Sequence, residues 1–353
     1  MNKPAILLQL VILISTTDFR PCNQQQHYYP SRSRLPFPLI GTGHPGIAFS
    51  NEVCLSSDGK NQPLVFDSLG VVYPSAPCGL NGKGELFQGH NELFLACIGR
   101  GNMLLLGDET IEKTSSVASL RKKMMVDSNE SVRASCLRVN QAVIERIPHG
   151  DENGECIAYR VGFRLPIATT SVFHTVYVIC WVQSDNHPKW VKHVINPSMA
   201  DGEDKWSLVD TAIRTNFRFS PMVFGTNFIP GKYFTVAHQR KVGLLNSSGG
   251  DFIARGHLAP AGDFMLACER HATFRLENAV PQWQSHNNGK WKEVERRARL
   301  VRNAFLVETG PVFRDDSPRR LFLNPKERFL PVPDSLYKIL YDENGDVVFR
   351  EIA

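Results

Sequence analysis

No part of this sequence is apolar over the ~20 residues that a membrane-spanning helix needs. None of its eight cysteines forms a C-x-x-C pair, which argues against a zinc ribbon. Neither sign of charge dominates. Lys and Arg number 40 against 35 Asp and Glu, a net charge of +5, so the chain carries no polyelectrolyte tail. That mild excess suits a polyanionic partner without requiring one. No internal repeat is evident, which excludes a solenoid. With 42% hydrophobic and 21% charged residues the chain is neither disordered nor fibrous. Its 353 residues are enough for a large core and for about two domains.

What is present begins with a short positive region at Lys3, then the apolar run Ala5 to Ser15 (AILLQLVILIS). This pattern reads as a signal peptide over residues 1–20, and it predicts a secreted, extracellular protein with no membrane anchor after cleavage. The cysteines agree, because several should pair as disulfides in an oxidising compartment. Two sequons, at Asn129 and Asn246, are candidate glycosylation sites. Residues 21–50, rich in Gln, Ser, Pro and aromatics, read as an extended leader. Residues 51–145 hold short apolar runs between Gly and Asn, such as 93–97 and 103–106, and read as a small β-rich, disulfide-containing domain. The polar stretch Pro148 to Gly154 marks a boundary. Residues 150–353 then combine long β-branched runs, above all Ser171 to Val182 and Trp190 to Ile195, with a helix over Asn287 to Arg302. In that helix Trp291, Val294, Ala298 and Val301 share a face. The expected fold class is α+β, a mixed sheet with at least one long helix.

One constellation carries chemistry. Arg255-Gly256-His257 ends a short apolar strand, Asn278 to Gln282 follows, and Asn287 with Trp291 opens the helix. Phosphodiester hydrolysis needs a base for water, and a neutral His suits that task. It needs a cation against the developing charge, and Mg²⁺ takes one or two protein oxygens while keeping most of its waters. An Arg fork holds phosphate oxygens. Arg255, His257 and Asn287 meet this list if the helix packs beside the strand. Glu295, two turns beyond Asn287, is placed to hold a metal-bound water or to orient Arg255.

These residues resemble the DNA/RNA non-specific endonuclease family, built on the ββα-metal (His-Me) finger. The family signature is D-R-G-H, then S-N-x-x-P-Q, then N-x-x-x-W and an acid four residues on. Here stand Ala254-Arg255-Gly256-His257, Glu277-Asn278-Ala279-Val280-Pro281-Gln282, Asn287 with Trp291, and Glu295, while Thr309-Gly310-Pro311 matches a later family strand. The resemblance covers roughly residues 150–350. It implies His257 as general base, Asn287 as direct ligand of Mg²⁺ or Mn²⁺, and Arg255, Asn278 and Glu295 in support of phosphate, base and metal waters. It also implies 5′-phosphate products from DNA and RNA, double-stranded RNA among them. A further Arg from an earlier strand is expected; Arg214, Arg218 and Arg240 stay open. Ala254 stands where the family has Asp, and Glu277 where it has Ser, facing solvent. The A-R-G-H-L reading and the cysteine-bearing N-terminal block are similar to the secreted arthropod branch, which includes gut double-stranded-RNA nucleases and salivary nucleases. The alternative is a secreted nucleic-acid-binding protein of the same fold with weak cleavage or none.

Blander readings stand beside these. Asn287 is also a good helix N-cap. Trp291 reads as core rather than as a base-stacking platform. Asp263 is either a supporting acid or a loop residue. Arg296, Arg297, Arg299 and Arg302 are either a phosphate track or a solvated helix face.

Overall fold

The computed structural model describes residues 54–55, 61–67, 70, 72–73, 93–106, 109–111, 114–116, 133–148, 155–167, 170–195, 215–245, 250–264, 266–314 and 320–353. The expected signal peptide (1–20), the leader (21–50), both sequons, Arg214 and most of the 148–154 boundary lie outside them.

The framework is an antiparallel sheet of seven strands among the described residues. In chain order these are β1 (Val143–Arg146), β2 (Ile157–Ile167), β3 (Thr170–Val182), β4 (His187–Val194), β7 (Leu306–Val312), β8 (Ser335–Tyr341) and β9 (Val347–Ile352). β5 (Ile253–His257) and β6 (Ala279–Trp283) pair with each other instead. The sheet order is β9-β8-β7-β4-β3-β2-β1. Its centre is the β2–β3 hairpin, whose Val161, Phe163, Leu165, Tyr177, Ile179 and Trp181 are all buried. Alternate residues of a strand share a face, so β-branched and aromatic runs of this kind fit a covered sheet. Between Val161 and Gly162 the register shifts. A Cβ at Gly162 would stand 1.9 Å from the His174 carbonyl oxygen, so the bulge requires glycine. The disulfide Cys156–Cys180 staples the start of this hairpin to its return strand.

The helix follows directly on β6, but earlier than the apolar spacing predicts. Helical residues run from Gln284, and Asn287–Trp291 form a π turn that leads into α1 (Lys292–Arg299). Asn287 has helical angles (φ −59°, ψ −45°), so it is interior to the helix rather than its N-cap. Trp291, Val294 and Ala298 are buried on one face, as their spacing predicts, while Val301 lies past the helix end. Trp291 is core. The β5–β6 hairpin and this helix together make a ββα unit, and the fold is α+β.

Residues 54–136 contribute short strands in two four-stranded sheets. Cys97–Cys136 is a disulfide. Leu64, Phe66, Val72 and Ala96 belong to the same buried cluster as Phe163, Trp181 and Trp291, so this block packs into the main core. Among the described residues no helix is long and apolar enough to cross a membrane.

Candidate active site on the 253–283 hairpin

The β5–β6 register sets Ala254 opposite Gln282 and His257 opposite Ala279. Alternation turns Ala254 and Gly256 to the face that carries Gln282, and Arg255 and His257 to the other. A Cβ on Gly256 would press on the buried Gln282 side chain, 2.9 Å from its Cβ, so glycine leaves that side chain its place. The Gln282 amide nitrogen lies 2.9 Å from His286 Nδ1, which seats the first helical turn, with Asn287 next in the chain, against this hairpin. Gln239 grips the same end of the hairpin from its first strand. Its amide accepts from Ile253 N–H at 2.9 Å and donates to Ile253 carbonyl at 2.8 Å.

Asn278 is fully buried and saturated. Its Oδ1 accepts from Ala259 N–H at 2.9 Å, and its Nδ2 donates to the carbonyls of Ala259 and Thr273 at 2.8 and 2.9 Å. These bonds shape the chain just after His257 and leave the amide nothing to offer a phosphate.

The face of Arg255 and His257 is aromatic. The His257 ring lies 4.9 Å from Phe217 and 5.0 Å from Phe274. The residue is half-buried as a whole, yet its Nε2 is sealed from solvent and has no hydrogen-bond partner. Burial holds its pKa down to about 4, so the ring is neutral at physiological pH. The Arg255 guanidinium stands over Phe217 at 5.5 Å and Phe234 at 5.2 Å. Its Nε also lacks a partner, and burial lowers its pKa. Cation–π contact steadies the charge while leaving the donor fork uncommitted.

No ion pair joins Glu295 to Arg255 among the described residues; its charged neighbours are others. Arg299 NH2 is 3.7 Å away, and Lys338 and Asp263 act on it electrostatically. Burial pushes its carboxyl up to about 7, against the opposing pull of Lys338 and Arg299. Asp263 is a buried acid rather than a loop residue. It meets His193 Nε2 at 3.0 Å, Arg299 Nε at 2.7 Å and Lys338 Nζ at 3.9 Å. Lys338, fully buried, also donates to Thr309 Oγ1 at 2.9 Å. Arg299 is thereby engaged inside the protein. Arg296 and Arg297 pair with Glu293, and Arg297 also with Glu351, so these helix arginines too are already committed.

Glu277, expected in solvent, is 0% exposed. Its carboxylate accepts from Ser220 N–H and pairs with Arg275, which ties the 217–220 segment to the turn before β6. Sequence reasoning missed this, together with the Phe217, Phe234 and Phe274 wall. Nothing local marks those rings, because they arrive from distant segments.

The profile of the DNA/RNA non-specific endonuclease family matches residues 157–351. The chain belongs to that family. The matched span contains the ββα unit, the aromatic wall and the Asp263 network. Among curated relatives, a salivary endonuclease of Lutzomyia longipalpis is 30% identical over 167 residues, 43% of this chain and 37% of that protein. Salivary protein Tsal1 of Glossina morsitans morsitans is 23% identical over 289 residues, 75% and 68% of the two chains. Mitochondrial nuclease EXOG of Mus musculus is 28% identical over 209 residues, 56% and 50%. The aligned region thus spans between roughly a third and two thirds of these relatives' lengths.

Proposed function

We propose that the protein is a secreted, metal-dependent endonuclease that hydrolyses phosphodiester bonds of DNA and RNA and leaves 5′-phosphate ends. The observation that carries this reading is the pairing of a neutral, partner-free His257 Nε2 with a partner-free Arg255 on one strand face of a family ββα unit. A buried polar group without a partner costs on the order of 1–3 kcal/mol, and such costs collect at working sites. In this reading the imidazole of His257 takes the proton from the attacking water, and Arg255 offers its fork to the phosphate oxygens. Asn278 acts through its backbone bonds, holding the turn that follows His257. Glu295, with Arg299, steadies the helix that carries Asn287.

The donor set fits a hydrated, oxygen-seeking ion. No group of three or more His, Cys, Asp or Glu is arranged to hold a metal among the described residues. The Asn287 amide, in the π turn, makes no hydrogen bond among the described residues. Such turns recur at functional sites. Asn287 would hold Mg²⁺ or Mn²⁺, which supplies neutralisation of charge at the phosphate and the departing 3′ oxygen. Contacts to the backbone imply weak sequence preference and strong salt dependence.

The second reading, a nucleic-acid binder with little turnover, is favoured by one residue: Ala254 gives no carboxylate beneath the site, and losses around a metal cost ~10–100-fold. Purified protein incubated with plasmid and with double-stranded RNA, in Mg²⁺ and in chelator, separates the two. Cleavage that needs both metal and His257 supports the enzyme. Gel retardation without cleavage supports the binder, and absence of both sinks the proposal.

A further inference from the structure

A small, solvent-open hollow adjoins the aromatic wall of His257. Its lining joins parts far apart in sequence: residues 139–142 of the N-terminal block, then 215–218 and 271–275 of the family domain. Phe274 belongs to both places, since it lines the hollow and its ring lies 5.0 Å from that of His257. Asn216 and Arg218 line it as well, on either side of Phe217, the second ring against His257. The hollow therefore lies one aromatic ring away from the proposed base.

Its charge is positive. Arg218 is exposed, and among the described residues its side chain has no ion-pair or hydrogen-bond partner; only its backbone bonds, to Phe274 and Leu276. Arg275, 8% exposed, is turned to Glu277, with Nε and a terminal nitrogen each 3.4 Å from a carboxylate oxygen, so it backs the lining rather than serving as a free donor. His271 adds a ring at the lining. The opposite wall is fixed. The Asn140 amide accepts from Ile98 N–H at 2.6 Å and donates to Gln62 carbonyl at 2.7 Å, and the Cys97–Cys136 disulfide anchors the strand that enters this segment.

We propose that this hollow is a second phosphate subsite, which takes the backbone phosphate next to the one at His257, with Arg218 as its donor and residues 139–142 as its far wall. The inference rests on the nuclease reading and deepens it: the N-terminal block becomes part of the substrate path. A guanidinium without a partner is the donor that a phosphate oxygen selects, and each such contact contributes to the salt dependence of binding.

The test uses full-length His257→Ala protein in EDTA, with a fluorescein-labelled single-stranded oligonucleotide followed by anisotropy across a salt series. On this background Arg218→Gln should weaken binding about tenfold and flatten the log–log salt slope by about 0.7. Ala142→Asp, which sets a carboxylate into the far wall, should weaken binding at least about fivefold. Arg350→Gln, on β9, removes a charge elsewhere and serves as the control. Should Ala142→Asp melt early, Asn216→Asp makes the same charge test from an exposed position. In the catalytic background, Arg218→Gln should raise KM more than it lowers kcat. Shifts no larger than those of Arg350→Gln, or a fall in kcat with KM unchanged, overturn the subsite. No binding by the His257→Ala protein at all overturns the nuclease reading along with it.

Discussion

Two polar clusters of the family domain lie close in sequence and are built on opposite plans. At His257 and Arg255 the polar atoms face rings and lack partners. Around Asp263 the charges interlock: His193, Arg299 and Lys338 surround one buried carboxylate, whose pKa they hold well below the usual range despite burial. On the proposed reading, the contrast separates work from support. A paired network rigidifies but has nothing to offer a substrate, whereas unpartnered groups carry a standing cost that makes sense only if something else satisfies them.

Replacement of His257 by Ala is the strongest probe. Cleavage should fall by about 10²- to 10⁴-fold, as for loss of a general base, while the melting temperature holds or rises. Asp263→Ala should do the reverse. It strands Arg299 and Lys338 in the interior, which costs about 3–5 kcal/mol, read as a lower urea midpoint. If both substitutions destabilise alike, the contrast collapses.

The helix shows how far the residues alone carry the reader. Trp291, Val294 and Ala298 announce their buried face by spacing, and the strands 170–182 and 335–341 by their β-branched and aromatic runs. The order R-G-H, N-x-x-P-Q, N-x-x-x-W locates the hairpin and helix for the same reason: local geometry repeats local sequence. Where tertiary packing overrides local pattern, that reasoning fails. Asn287 has the chemistry of a cap, yet β6 feeds helix three residues sooner. Glu277 has the chemistry of a surface residue, but Arg275 and the Ser220 amide draw it inside. Phe217 and Phe274, and the partners of Asp263, come from separate segments, and no window of sequence contains them together.

Smaller effects sharpen the contrast further. Because burial holds His257 down to about 4, its protonation should not limit kcat/KM until well below pH 6.5, so the acid limb should fall nearer pH 4 to 5. Rate profiles in wild type and in Phe274→Leu check this: opening the wall should move the limb upward. Sign matters for Glu295. A carboxyl raised from 4.5 to about 7 binds more protons folded than unfolded, so its contribution to stability declines as pH rises through that window. Glu295→Gln should therefore flatten the urea midpoint between pH 5 and 8, the mildest change of the set. An unchanged slope would place that carboxyl outside the buried network.

The bridge between Cys97 and Cys136 has a consequence for how the molecule is made and handled. Thiol-rich surroundings such as a cytosol would leave those sulfurs reduced. The ββα unit contains neither cysteine, so its chemistry should survive, while the segment ending at Ala142 loses a tether. Material produced without oxidation would then grip dilute strands poorly, and because the same conditions open Cys156–Cys180 at the central hairpin, reductant would act on capture and on stability together.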